Sequence, residues 1–100
     1  MLGHMVYFTL KDKSEAAVEE LIAAARRNLT DHPGLVFFGV GTRGPDLQRP
    51  VNDQEFDVGL QMVFESRAAH DVYQQHDRHV GFIEENKANW AQVRVFDTDL

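Results

Sequence analysis

One hundred residues with 16 acidic against 10 basic side chains, net charge −6, make a single acidic domain without the concentrated positive footprint that nucleic acid or an anionic membrane surface requires. The absence of cysteine excludes disulfides, thiolate nucleophiles and sulfur-ligated zinc or iron–sulfur sites, and it fits a reducing compartment. The N-terminus shows no basic leader before an apolar run, and no run approaches membrane-span length, so the expectation is a cytoplasmic chain with no membrane or nucleic-acid partner.

Residues 4–11 alternate as a strand, with His4, Val6, Phe8 and Leu10 on one face and Met5, Tyr7 and Thr9 on the other. Asp12 or Ser14 caps the helix that follows, and Glu15 completes a capping box with Asp12. Val18, Leu21, Ile22, Ala25 and Leu29 recur at helical spacing and form one apolar stripe, while Glu19, Glu20, Arg26 and Arg27 take the outer surface. The run His32-Pro33-Gly34 ends this helix. The triplet Asn28-Leu29-Thr30 matches a glycosylation sequon, which has no meaning without a secretory route.

A second strand spans residues 35–42, and a polar loop with Pro45 and Pro50 follows it. The third strand spans 56–64 and sets Phe56, Val58, Leu60, Met62 and Phe64 opposite Asp57, Gly59, Gln61 and Val63. Ser66 caps a helix over 67–76 whose inner side carries Ala69, Val72, Tyr73 and His76. Asp77 caps a further short helix, in which His79, Phe82, Ile83 and Trp90 follow helical spacing, and residues 93–96 form the last strand. Trp90 reads as a core anchor.

The order β-α-β-β-α-(α)-β predicts an α+β, ferredoxin-like domain over residues 1–100: a four-stranded antiparallel sheet with its helices on one face. The other face, carrying Tyr7, Val36, Phe38, Val40 and Val63, is too apolar to be solvated. A second copy of the chain is the simplest cover, giving a homodimer with the two sheets packed face to face. A chain this short buries only about two-thirds of its unfolded surface, so self-association also supplements a modest core.

Gly39-Val-Gly41-Thr-Arg-Gly44 matches a dinucleotide-binding pattern, but Pro45-Asp-Leu-Gln-Arg-Pro50 follows where a helix would have to begin. The pattern therefore reads as a strand end and turn, and no cofactor is expected. Ser, His and Asp are present without a nucleophile elbow, so hydrolase chemistry has no positive support.

The histidines carry the chemistry. His76 and His79 are three apart and invite a metal, yet the spacing straddles a break at Asp77, and His4, Asp77 or Asp97 would have to come close to complete a site. No metal is assigned. His4 and His79 each lead an apolar stripe, so both imidazoles point into the helix–sheet interior, with Tyr73 beside them. Near a helix N-terminus His79 is favoured as the neutral base. Two readings of this group stand side by side: packed histidines that satisfy core hydrogen bonds, or a catalytic trio of His79, Tyr73 and His4. His32 and His70 read as exposed and without a role.

Several segments, taken in order, carry a resemblance: His4-Met-Val-Tyr-Phe at the start, Pro33-Gly34, Phe56-Asp57, the run Tyr73-Gln-Gln-His76-Asp-Arg-His79-Val-Gly-Phe82, and Val-Phe96-Asp97 near the end. Nearly end to end, the chain resembles the Dabb group of stress-responsive α/β-barrel proteins. The resemblance implies a ferredoxin-like fold that dimerises through its sheets into a barrel, in a family whose biochemical roles are mostly unassigned. One plant member, olivetolic acid cyclase, is similar and uses a histidine base and a tyrosine helper at positions matching His79 and Tyr73, with a pocket histidine matching His4. Two further polar pocket positions fall here on Val58 and Ala25, which implies a less polar pocket and a different substrate. The expectations are therefore a stress-related barrel protein binding a small apolar molecule, a cofactor-independent cyclase or lyase with His79 as base, a non-catalytic structural homodimer, or a cofactor-free oxygenase.

Overall fold

Alternation of buried and half-buried side chains, strict over Val58–Phe64 and over residues 4–10, builds the two central strands. In the computed structural model, which describes residues 1–100, the elements are β1 (Leu2–Leu10), α1 (Glu15–Asn28), β2 (Leu35–Thr42), β3 (Val58–Phe64), α2 (Arg67–Gln75), α3 (Asp77–Asn86), a 3₁₀ turn (Lys87–Asn89) and β4 (Trp90–Asp99). The strands form one antiparallel sheet in the order β2-β3-β1-β4. This is the expected α+β, ferredoxin-like arrangement, with the helices on one face.

β1 and β3 turn Val6, Phe8, Leu10, Val58, Leu60, Met62 and Phe64 toward the helices, and the α1 stripe of Leu21, Ala24, Ala25 and Leu29 closes over them. Burial of this apolar set is the main stabilising term. Ser14, not Asp12, caps α1: its hydroxyl accepts from the Ala17 amide at 3.2 Å, while Asp12 accepts from the Ser14 amide at 2.9 Å. Two carbonyls of the last turn of α1, and that of Thr30 just past it, find side-chain donors. The His32 ring nitrogen Nε2 donates to Asn28 O at 2.8 Å, and the Arg78 guanidinium donates to Arg27 O and Thr30 O at 2.6 and 2.8 Å. The expectation that His32 is exposed is therefore corrected: it is buried and finishes a helix.

Other expectations shift for identifiable reasons. β3 starts at Val58; just before it the Asp57 carboxylate accepts from the Leu10 amide and Lys13 Nζ, both at 2.8 Å, while the Asp57 amide donates to Phe8 O at 2.7 Å. His76, not Asp77, caps α3; its Nδ1 accepts from the Arg78 amide at 3.1 Å, so α2 stops at Gln75. Trp90 opens β4 instead of extending a helix, and β4 runs from there to Asp99.

The second sheet face also differs. A bulge between Leu35 and Phe37 shifts the phase of β2, so that Phe38 pairs with Met62 and Val40 with Leu60 on the helix side. Phe37 takes the outer face with Met5, Tyr7, Val63 and Phe96. The 43–57 loop covers part of this face: Phe56 packs on Tyr7 at 5.0 Å between ring centroids, and Asp53 pairs with Arg94 at 2.5 Å. Phe37 and Phe96 remain more than half exposed, at 56% and 53%.

Candidate functional site

The inner face of β4 is not covered as β1 and β3 are. Val93 and Val95 stand opposite Phe8 and Val6 and stay largely exposed, so a cavity of about 360 Å³ opens between the β1–β4 pair and helices α2 and α3. Phe8, Phe82, Ile83, Trp90, Val93 and Val95 form an apolar wall; His4, His70, Tyr73, Gln74, His79 and Asp97 form a polar end.

All three residues expected from sequence meet there. His79 lies in the first turn of α3. Its Nδ1 donates to the Gln74 carbonyl at 2.9 Å, which leaves the lone pair on Nε2. Burial pushes its pKa below the ordinary histidine value, against the pull of that hydrogen bond. Tyr73 stacks on His79 with ring centroids 4.5 Å apart and lies 6.1 Å from His4. Burial pushes the Tyr73 phenol up, so it stays a proton donor at every physiological pH. His4 faces Asp97 across the β1–β4 register, and Nδ1 donates to the Asp97 carboxylate at 2.5 Å. Burial lowers the His4 pKa more than the carboxylate raises it.

Two residues join the site that sequence reasoning left out of it. His70, expected on the surface, is buried with its ring 5.0 Å from His4; Nδ1 donates to Asp71 at 3.1 Å and Nε2 accepts from the Gln74 amide at 3.3 Å. Its i, i+3 relation to Tyr73 was the available signal. Asp97 had appeared only as a conditional metal partner. Conversely, Val72, expected inside α2, is exposed, and His76 turns away to pack on His32 at 4.8 Å. The His76–His79 pair therefore does not converge on one ion. No helix follows the glycine pattern at 39–44, so the phosphate-binding geometry is absent.

A sequence model of the stress-responsive A/B barrel domain, Dabb, matches residues 2–100. The chain belongs to the Dabb family. A Dabb protein with a ferredoxin-like fold from Mesorhizobium loti is 22% identical and superposes with a TM-score of 0.80 over 99% of this chain and 95% of that one. A dimeric ferredoxin-like protein of unknown function from Thermobifida fusca gives 0.82 at 19% identity over 99% and 90%. The hydroxynitrile lyase of Passiflora edulis gives 0.80 at 18% identity over 99% and 92%. At these identities the likeness shows the shared fold. A comparison with curated proteins finds none that matches. No helix is long and apolar enough to cross a membrane.

Proposed function

We propose that this Dabb domain binds a small, mostly apolar molecule bearing one carbonyl, with the apolar part against Phe82, Ile83 and Trp90 and the carbonyl at the polar end. The observation that carries this reading is the cavity of about 360 Å³, apolar on one wall and polar at one end, with a Tyr73 hydroxyl that makes no hydrogen bond within the protein. A ligand oxygen would satisfy it. Trp90 is the single tryptophan and lines the cavity, so its fluorescence reports occupancy directly. Titration with medium-sized aromatic ketones and aldehydes should change that emission saturably. Failure of every such compound, together with that of their alcohol analogues, to perturb it would remove the ligand-binding reading.

The tautomer of His79 favours a second step at the same site: cofactor-independent proton transfer next to the carbonyl. His79 Nε2 is neutral and unprotonated, as a general base must be. Tyr73 would donate to the developing oxyanion, and His4, held by Asp97, would orient the substrate. Exchange of the ligand's α-protons in D₂O, followed by NMR, tests this step. His79→Ala should lower the exchange rate by about 10²-fold or more while leaving binding in place.

Homodimerisation through the outer sheet face is part of the reading. Phe37 and Phe96 leave an apolar face open, and the relative from Thermobifida fusca is described as dimeric. Cytoplasmic residence suits a chain without cysteine.

A further inference from the structure

The polar end of the cavity has a feature that reaches beyond the proton-transfer roles of His79, Tyr73 and His4. His4, His70 and Asp97 each bring one ligating atom to within 4.8 Å of the other two. They come from three elements, β1, α2 and β4, so no local spacing accounts for their convergence. The group also reaches the surface: His70 and Asp97 border a depression of about 130 Å³ shared with Arg67 and Asp99. The surrounding charge is negative. Asp71, Asp97 and Asp99 stand against Arg67, whose own guanidinium is 3.5 Å from Asp71.

We propose that His4, His70 and Asp97 form a site for a divalent transition metal of the zinc type, open toward the cavity. Two imidazoles and a carboxylate are a donor set that suits zinc and its neighbours and leaves coordination positions free. Oxygen-preferring calcium and magnesium are poorly matched to it. Tetrahedral zinc with bonds of about 2.0–2.2 Å holds its ligand atoms about 3.3–3.6 Å apart, so the widest separation must contract by little more than an ångström. Movement of His70 toward the ion would release the long 3.3 Å bond from Gln74. Asp71, accepting from His70 Nδ1, leaves the lone pair on Nε2 and fixes the ring as carboxylates do behind metal-bound histidines. His4 loses its hydrogen bond to Asp97 in exchange for a shared cation.

Cobalt(II) titrated into untagged full-length protein tests the site, because its visible d–d bands appear on coordination by imidazole and carboxylate. The expected result is one cobalt per chain, displaced stoichiometrically by zinc. His70→Gln and Asp97→Asn should each abolish the bands, and Asp71→Asn should weaken binding by about 10-fold or more. His76→Asn keeps a capping side chain on α3 and should leave the bands unchanged. Absence of saturable one-to-one binding in the wild-type chain overturns the proposal. So does unchanged binding in both His70→Gln and Asp97→Asn, or loss of the bands in His76→Asn. His79→Ala should retain cobalt while losing α-proton exchange, so failure of the metal site and failure of the proton-transfer reading are separate results.

Discussion

His79 keeps its proton on Nδ1 because the Gln74 carbonyl takes it, and burial among apolar neighbours resists a second one. Its Cε1 proton resonance should therefore titrate with a midpoint below the ordinary value of 6.5, and any α-proton exchange should fall along an acid limb with that same midpoint. His4 and His32 are also shifted down by burial. In the unfolded chain all three take up protons near 6.5, before they do so in the fold. The stability they protect is complete above that value and is lost as pH falls through it toward the folded pKa values. The urea midpoint should drop between pH 7 and 5 and be level from 7 to 8; a midpoint that rises on acidification would contradict this. The trio Tyr73, His79 and His4 was legible because each lies on an apolar stripe. His70 was not, because α2 had been phased on Val72 and His76, and the phase is decided by packing against Phe64, 5.7 Å from the His70 ring. Asp97 could be placed beside His4 only once the β1–β4 register was known.

Helix boundaries and turns fix where those residues stand. Ser66 accepts from the Ala69 amide at 3.1 Å and starts α2, so Ser66→Ala should cost about 1 kcal/mol in chemical denaturation. Gly34 has φ of +80°, and a Cβ there would lie 2.5 Å from the Ala69 Cβ. Gly34→Ala should cost more than about 1 kcal/mol, because the left-handed backbone and the close approach of α2 penalise it together. Elements were readable where burial alternates cleanly, as in β3. They were misread where a single side chain or an extra residue intervened. The bulge at β2 reversed the faces of Phe38 and Val40, and the His76 side chain, capping α3, ended α2 at Gln75. A pattern of apolar residues carries no mark of such a phase change, since a shift of one residue exchanges the two faces of a strand.

For the molecule as a whole, the sheet has one face given to the helices and one on which Phe37 and Phe96 stay exposed. Phe37→Glu places a charge on that open face, at the edge strand β2, and should convert a dimer to monomer in native mass spectrometry or sedimentation at micromolar concentration. A wild-type chain that is monomeric under those conditions would refute the pairing. The cavity lies on the helix side, with its mouth at the uncovered inner face of β4. Back-to-back pairing of two sheets therefore turns the two cavities away from each other, with both sheets between them. Such pairing would block neither mouth and would add no wall from one chain to the cavity of the other. Uptake should follow a simple hyperbola with a Hill coefficient near one, and the Phe37→Glu monomer should take up ligand with unchanged affinity. Partnering of this kind would protect the fold and leave each chain an independent receptor.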